Sequence, residues 1–110
     1  MVGKRKGDRD LLSIFVYGDK RYTLFSIWTN KYVEIEFNTL NNRLPEGNEE
    51  ILKKLLSRLN ELEGVKLPDD SIRKLPSIRF EVFMRDNNRE KFIEIFNWFI
   101  EEIKQFVDSI

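Results

Sequence analysis

Leu24-Phe25-Ser26-Ile27-Trp28-Thr29-Asn30-Lys31-Tyr32-Val33-Glu34-Ile35-Glu36-Phe37 is the stretch that decides the fold class. Aromatic and β-branched residues fill both arms, and a short polar break, Thr29-Asn30-Lys31, separates them. That is the pattern of a β-hairpin. The second arm alternates cleanly. Val33, Ile35 and Phe37 share one face, and Tyr32, Glu34 and Glu36 share the other. The alternation predicts a strand over 32–37 with one face on a core and the other in water. Asn30 is the expected left-handed residue of the turn.

Upstream, residues 11–17 are rich in β-branched and aromatic types and read as a first strand. Gly18-Asp19-Lys20 is a turn, and 21–28 is the second strand. Within it Tyr22, Leu24, Ser26 and Trp28 fall on one face, and Thr23, Phe25, Ile27 and Thr29 on the other. If the second set faces the helices, Tyr22 and Trp28 are exposed together; if the first does, Trp28 is core.

Downstream, residues 39–47 read as a loop. A helix follows, with Asn48 as N-cap and Glu49 and Glu50 in the first turn, where acids suit the dipole. Ile51, Leu52, Leu55, Leu56, Leu59 and Leu62 form its apolar stripe, and Gly64 stops it. Residues 66–77 connect to a fourth strand over 77–84. Asn87 and Glu90 have capping-box spacing for a second helix running to about residue 106. Phe92, Ile93, Ile95, Phe96, Phe99, Ile100, Ile103, Phe106 and Val107 fall on one arc of that helix. The order β-β-β-α-β-α predicts an α+β domain: an antiparallel sheet of about four strands with two helices packed on one face. Residues 1–10 are expected to form a disordered basic arm, and 11–110 a single domain.

The 110 residues contain no cysteine and no histidine. Ser-His-Asp and Cys-His nucleophiles are therefore impossible within this chain, as are Cys/His zinc sites. The five glycines are isolated, so no phosphate-binding glycine loop is present. No metal site and no cofactor is expected. No apolar run approaches a membrane span, the first ten residues hold no apolar leader core, and a cytoplasmic location with no membrane contact is expected.

Net charge is zero, from 19 basic and 19 acidic residues, but its distribution is uneven. Residues 1–31 hold seven basic residues against three acidic, a net of +4 that the remainder balances. Lys4, Arg5, Lys6, Arg21 and Lys31 are thus candidate phosphate contacts, with Trp28 and Tyr32 as candidate base-stacking rings. A solvated terminus and a core tryptophan are the plainer readings of the same residues. Glu34 and Glu36, or Asp69 and Asp70, are the candidate carboxylates for an enzyme. The wet face of a strand is the simpler explanation for the first pair. Glu102-Ile103-Lys104 echoes the acidic–lysine element of metal nucleases, but a helix would turn its two charges apart. Trp98 falls outside the apolar arc of the second helix, among Lys91, Glu94 and Glu102. It marks a candidate interface with a protein partner or a second copy in a homodimer.

The segment 25–37, together with Arg58-Leu59-Asn60, Glu63-Gly64-Val65, Leu75-Pro76-Ser77-Ile78 and Phe96-Asn97-Trp98-Phe99, resembles an uncharacterised α+β domain of bacterial and archaeal proteins. In that family such segments form C-terminal accessory regions of larger proteins, some of them predicted nucleases. The resemblance covers most of residues 22–103 and implies an accessory module with no catalytic residue of its own.

Three functional expectations follow. The first is a non-catalytic interaction module. The second is a nucleic-acid-binding accessory domain of a DNA- or RNA-processing system. The third is a small carboxylate-dependent enzyme.

Overall fold

The computed structural model describes residues 9–29 and 31–110. The fold is α+β. Four antiparallel strands, β1 (Arg9–Tyr17), β2 (Lys20–Trp28), β3 (Tyr32–Ile35) and β4 (Ser77–Arg79), lie side by side in the order β1-β2-β3-β4. Between β3 and β4 come helices α1 (Phe37–Arg43) and α2 (Glu49–Leu59) and a 3-10 turn (Asp69–Arg73). After β4 come a single helical turn, α3 (Phe80–Phe83), and the long C-terminal helix α4 (Asp86–Asp108).

Gly18 takes φ +66° at the first central position of the β1–β2 turn, a conformation glycine reaches without a steric penalty. The β1–β2 ladder is irregular. Ser13 faces Phe25 while Ile14 faces Thr23, which leaves Leu24 as an extra residue in β2. Such a bulge resets the alternation. Tyr22 pairs with Phe15, and Phe15 lies on the same face of β1 as Ser13, so Tyr22 and Phe25 share a face. Tyr22 and Trp28, placed together by simple alternation, therefore lie on opposite faces.

Helix α4 runs along the face that carries Tyr22 and Phe25. Phe92 and Phe96 meet the Phe25 ring at 5.1 Å each. At the far end of α4, Lys104 sits 5.9 Å from the Phe15 ring, and the Tyr17 hydroxyl donates to the Asp108 carboxylate at 2.7 Å. Helix α2 packs against α4, with Leu55, Leu59, Phe99 and Ile103 fully buried in one continuous core. Ile95, Phe96, Phe99 and Ile103 form the buried seam of α4, Phe92 packs partly buried against it, and Ile93 at its edge stays 55% exposed.

Several sequence expectations require correction. The strand predicted over 32–37 ends at Ile35, and a helix opens at Phe37 and runs to Arg43, into the residues 39–47 expected as a loop. Phe37, Leu40 and Leu44 are buried at helical spacing, and this burial outweighs the poor helix propensity of the asparagines between them. The strand predicted over 77–84 stops at Arg79, because Val82 and Phe83 are both buried and a strand would turn one of them outward. β1 begins at Arg9, inside the arm expected to be disordered; residues 1–8 lie outside the described residues, as does Asn30. Lys31, next to it, takes a left-handed conformation at φ +70°.

Both expected caps differ in role. Asn48 does stand at the α2 N-cap, but its amide donates instead to the carbonyls of Asn41 and Pro45, at 3.1 and 3.0 Å, closing the α1–α2 connection. At α4 the structural asparagine is Asn88, not Asn87. Its buried amide donates to the Val82 and Glu63 carbonyls, at 2.8 Å each, and its oxygen accepts from the Glu63 amide at 3.1 Å. Among the described residues no helix is long and apolar enough to cross a membrane.

Candidate nucleic-acid interface

The end of the sheet that carries the β2–β3 turn gathers aromatic and cationic side chains. Trp28 closes β2, Tyr32 opens β3 and Arg79 closes β4. Trp28 pairs with Tyr32, and Tyr32 with Arg79, so the three form a row across three strands on one face. Adjacent strands are about 4.8 Å apart, so the row spans roughly 10 Å. The Lys31 amide donates to the Trp28 carbonyl at 2.9 Å, closing the turn. The Phe80 amide donates to the Lys31 carbonyl at 2.8 Å, which docks α3 onto the turn and brings Phe80, Glu81 and Met84 into place.

Together these residues line an open cavity of about 740 Å³, bordered by Ile27, Trp28, Thr29, Lys31, Tyr32, Arg79, Phe80, Glu81 and Met84. That volume suits a small planar ligand. Two cations and one carboxylate line it. Arg79 and Glu81 form an ion pair at 3.5 Å with both side chains largely exposed. An exposed pair of this kind holds its partners weakly, so an incoming anion can draw the guanidinium away.

Of the residues singled out for nucleic acid, the structure brings together Lys31, Trp28 and Tyr32. Arg21 lies at the opposite end of β2, facing Val16, seven residues and about 23 Å from Trp28. Lys4, Arg5 and Lys6 lie outside the described residues. Arg79, Phe80 and Met84 were missed. The signal for Arg79 lies in the pairing of 77–79 with 32–34, which a single sequence does not announce.

The candidate carboxylates do not form a water-facing pair. Glu34 and Glu36 are 3% and 4% exposed, which overturns the wet-face reading. Glu36 is held by two hydroxyl donors, Ser26 Oγ at 2.7 Å and Thr39 Oγ1 at 2.8 Å. The chain bends out of β3 at this residue, and α1 supplies Thr39. Asp69 and Asp70 are exposed on the 3-10 turn. Lys74 bonds Asp70 at 2.8 Å, and that contact holds the carboxyl below its ordinary value. Among the described residues no three His, Cys, Asp or Glu side chains gather to hold a metal ion.

Trp98 is half-buried against α2, where the Arg58 guanidinium stands 4.2 Å from the ring centre. Glu102 lines the shallow depression around it, with Lys54, Ser57, Arg58 and Glu61. Lys91 and Glu94 are exposed residues of α4 outside that depression.

No family model, curated protein or solved structure matches the chain.

Proposed function

We propose that this chain is a non-catalytic binding module that takes single-stranded nucleic acid in the cavity at the end of its sheet. The observation that carries the reading is the row Trp28–Tyr32–Arg79 with Lys31 at its rim. An unpaired base has two open π faces, and stacking on an aromatic side chain contributes about 1–3 kcal/mol per base with little sequence preference. The flanking phosphates then fall to Lys31 and Arg79. A duplex keeps its bases stacked on one another, so it cannot offer a base to this cavity. The accessory-module role implied by the sequence resemblance fits a contact of this limited size.

Support also comes from the backbone. Lys31 occupies a left-handed conformation that costs an ordinary L-residue roughly 1 kcal/mol. Glycine or asparagine would sit there more comfortably, yet the position places a cation on the cavity rim.

The test is an anisotropy titration of a short labelled single strand at several salt concentrations. Two phosphate contacts release about 0.7 counterion each, so the slope of log K against log salt is expected near −1.4. Tyr32→Ala should weaken binding by about 5- to 150-fold. Equal affinity for duplex and single strand, or no binding at low salt, rejects the proposal.

A further inference from the structure

We infer that the cavity selects guanine among the bases, with the Glu81 carboxylate reading its Watson–Crick edge; this rests on the single-strand site proposed above and names the base that enters it. Glu81 is the one acid among the described residues that line the cavity, where Lys31 and Arg79 are the cations. A groove built only to follow phosphates gains nothing from an acid, which repels them. Glu81 suits a ligand group that donates hydrogen bonds. Its backbone is fixed in place. The Phe80 amide docks α3 on the Lys31 carbonyl at 2.8 Å, and the Met84 amide donates to the Glu81 carbonyl at 3.2 Å. The two residues after Glu81, Val82 and Phe83, are buried in the core. The Glu81 side chain is 72% exposed, with Arg79 3.5 Å away.

The ion pair links phosphate binding to base reading. When a strand phosphate takes the Arg79 guanidinium, the Glu81 carboxylate is released as an acceptor on the cavity wall. An ionised carboxylate only accepts, through two oxygens side by side. Guanine alone among the common bases carries two adjacent donors on its Watson–Crick edge, N1–H and the N2 amine. Adenine and cytosine set one amine beside a ring-nitrogen acceptor. Thymine and uracil have a single N–H between two carbonyls. Each of these places a lone pair of the base against a carboxylate oxygen, which repels it and leaves that oxygen unsatisfied. Stacking on Trp28 or Tyr32 is open to every base, so the discrimination falls to Glu81. A matched bidentate contact separates the right base from the wrong one by about 5- to 150-fold. The exposure of Glu81 places this site toward the lower end of that range.

The test is an anisotropy titration of the full chain with short labelled thymidine strands that differ at one central base: guanine, adenine, cytosine, hypoxanthine or thymine. Guanine should bind at least about 5-fold tighter than adenine or cytosine. Hypoxanthine keeps N1–H but lacks the N2 amine, so it should lose most of that preference. Glu81→Gln replaces one acceptor oxygen with a donor and should bring guanine down to the level of adenine, with circular dichroism confirming the fold. Arg79→Ala should weaken every strand in the series yet keep the guanine preference, which assigns the preference to Glu81. Equal affinity across the series overturns the inference and leaves the stacking site standing. So does a hypoxanthine strand that binds as well as guanine, or a guanine preference that survives Glu81→Gln. Failure of the wild type to bind any strand rejects the stacking site itself, and guanine selection with it.

Discussion

Ser26 Oγ donates to Glu36 Oε2 at 2.7 Å, in a part of the molecule where both residues are almost wholly buried. The bond ties β2 to the point where the chain leaves β3 for α1. A buried carboxylate is tolerated only when its oxygens are satisfied, and Thr39 satisfies the other oxygen. Ser26→Ala removes one donor and leaves the carboxylate short of a partner. The expected cost is about 1–3 kcal/mol by urea denaturation. In a double-mutant cycle with Glu36→Gln the two substitutions should be non-additive, whereas additive effects would mean that the bond contributes nothing of its own.

Asn88 joins the loop after α2 to α3 and the start of α4 through three hydrogen bonds. Asn88→Ala takes the acceptor from the Glu63 amide and the donor from the buried Val82 carbonyl, while the Glu63 carbonyl keeps only a long contact from Arg85 at 3.5 Å. A loss of at least about 1–3 kcal/mol is expected. Asn87→Ala, one residue away at an exposed position, should change the melting temperature little. Equal effects of the two substitutions would contradict the assignment.

These two sites show where the sequence was legible. The hairpin strands, the α2 stripe and the α4 seam could be read because each repeats at a fixed period along its own segment. Glu34 and Glu36 were misread because alternation indicates which residues share a face, not whether a later helix covers that face. The α1 pattern Phe37, Leu40, Leu44 was present but short, and the neighbouring asparagines argued for a loop. The Leu24 bulge has no local signature at all. It separates Tyr22 from Trp28, so the two aromatics that simple alternation put on one face belong to different faces. At the candidate site, Trp28, Lys31 and Tyr32 were found because they are adjacent in the hairpin. Arg79 and Phe80 come from more than forty residues away, and only the β3–β4 pairing brings them in.

Lys31 separates stability from binding. Lys31→Gly relieves a left-handed backbone and should stabilise the fold by up to about 1 kcal/mol. It also removes a cation from the cavity rim, so affinity for a single strand should fall and the salt slope should lose about 0.7. Chemical denaturation and anisotropy on the same preparation check both halves. A variant that gains stability and keeps full affinity would remove Lys31 from the site.

Tyr17 links the first hairpin to the end of α4, and its phenol is raised above the ordinary value of 10.0 by the hydrogen bond it donates to Asp108, with further repulsion from that carboxylate and from Glu101. A raised folded-state value means that the contact stabilises the protein fully below the ordinary phenol range. The contribution is lost as pH climbs through the raised value. Asp108→Asn should bring the high-pH limb of an ultraviolet tyrosine titration back toward pH 10 and weaken the alkaline decline in stability. An unchanged titration would show that the contact does not persist in solution.

Trp28 gives the most direct measurement of the proposed function. The chain has two tryptophans, and Trp98→Phe leaves Trp28 as the only one, on the cavity wall. A short single-stranded oligonucleotide is titrated into this variant at low salt while Trp28 emission is followed. Saturable quenching, reversed by added salt and absent with duplex of the same sequence, is the expected result. Emission that stays unchanged in a folded protein at every strand concentration contradicts stacking of a base in this cavity.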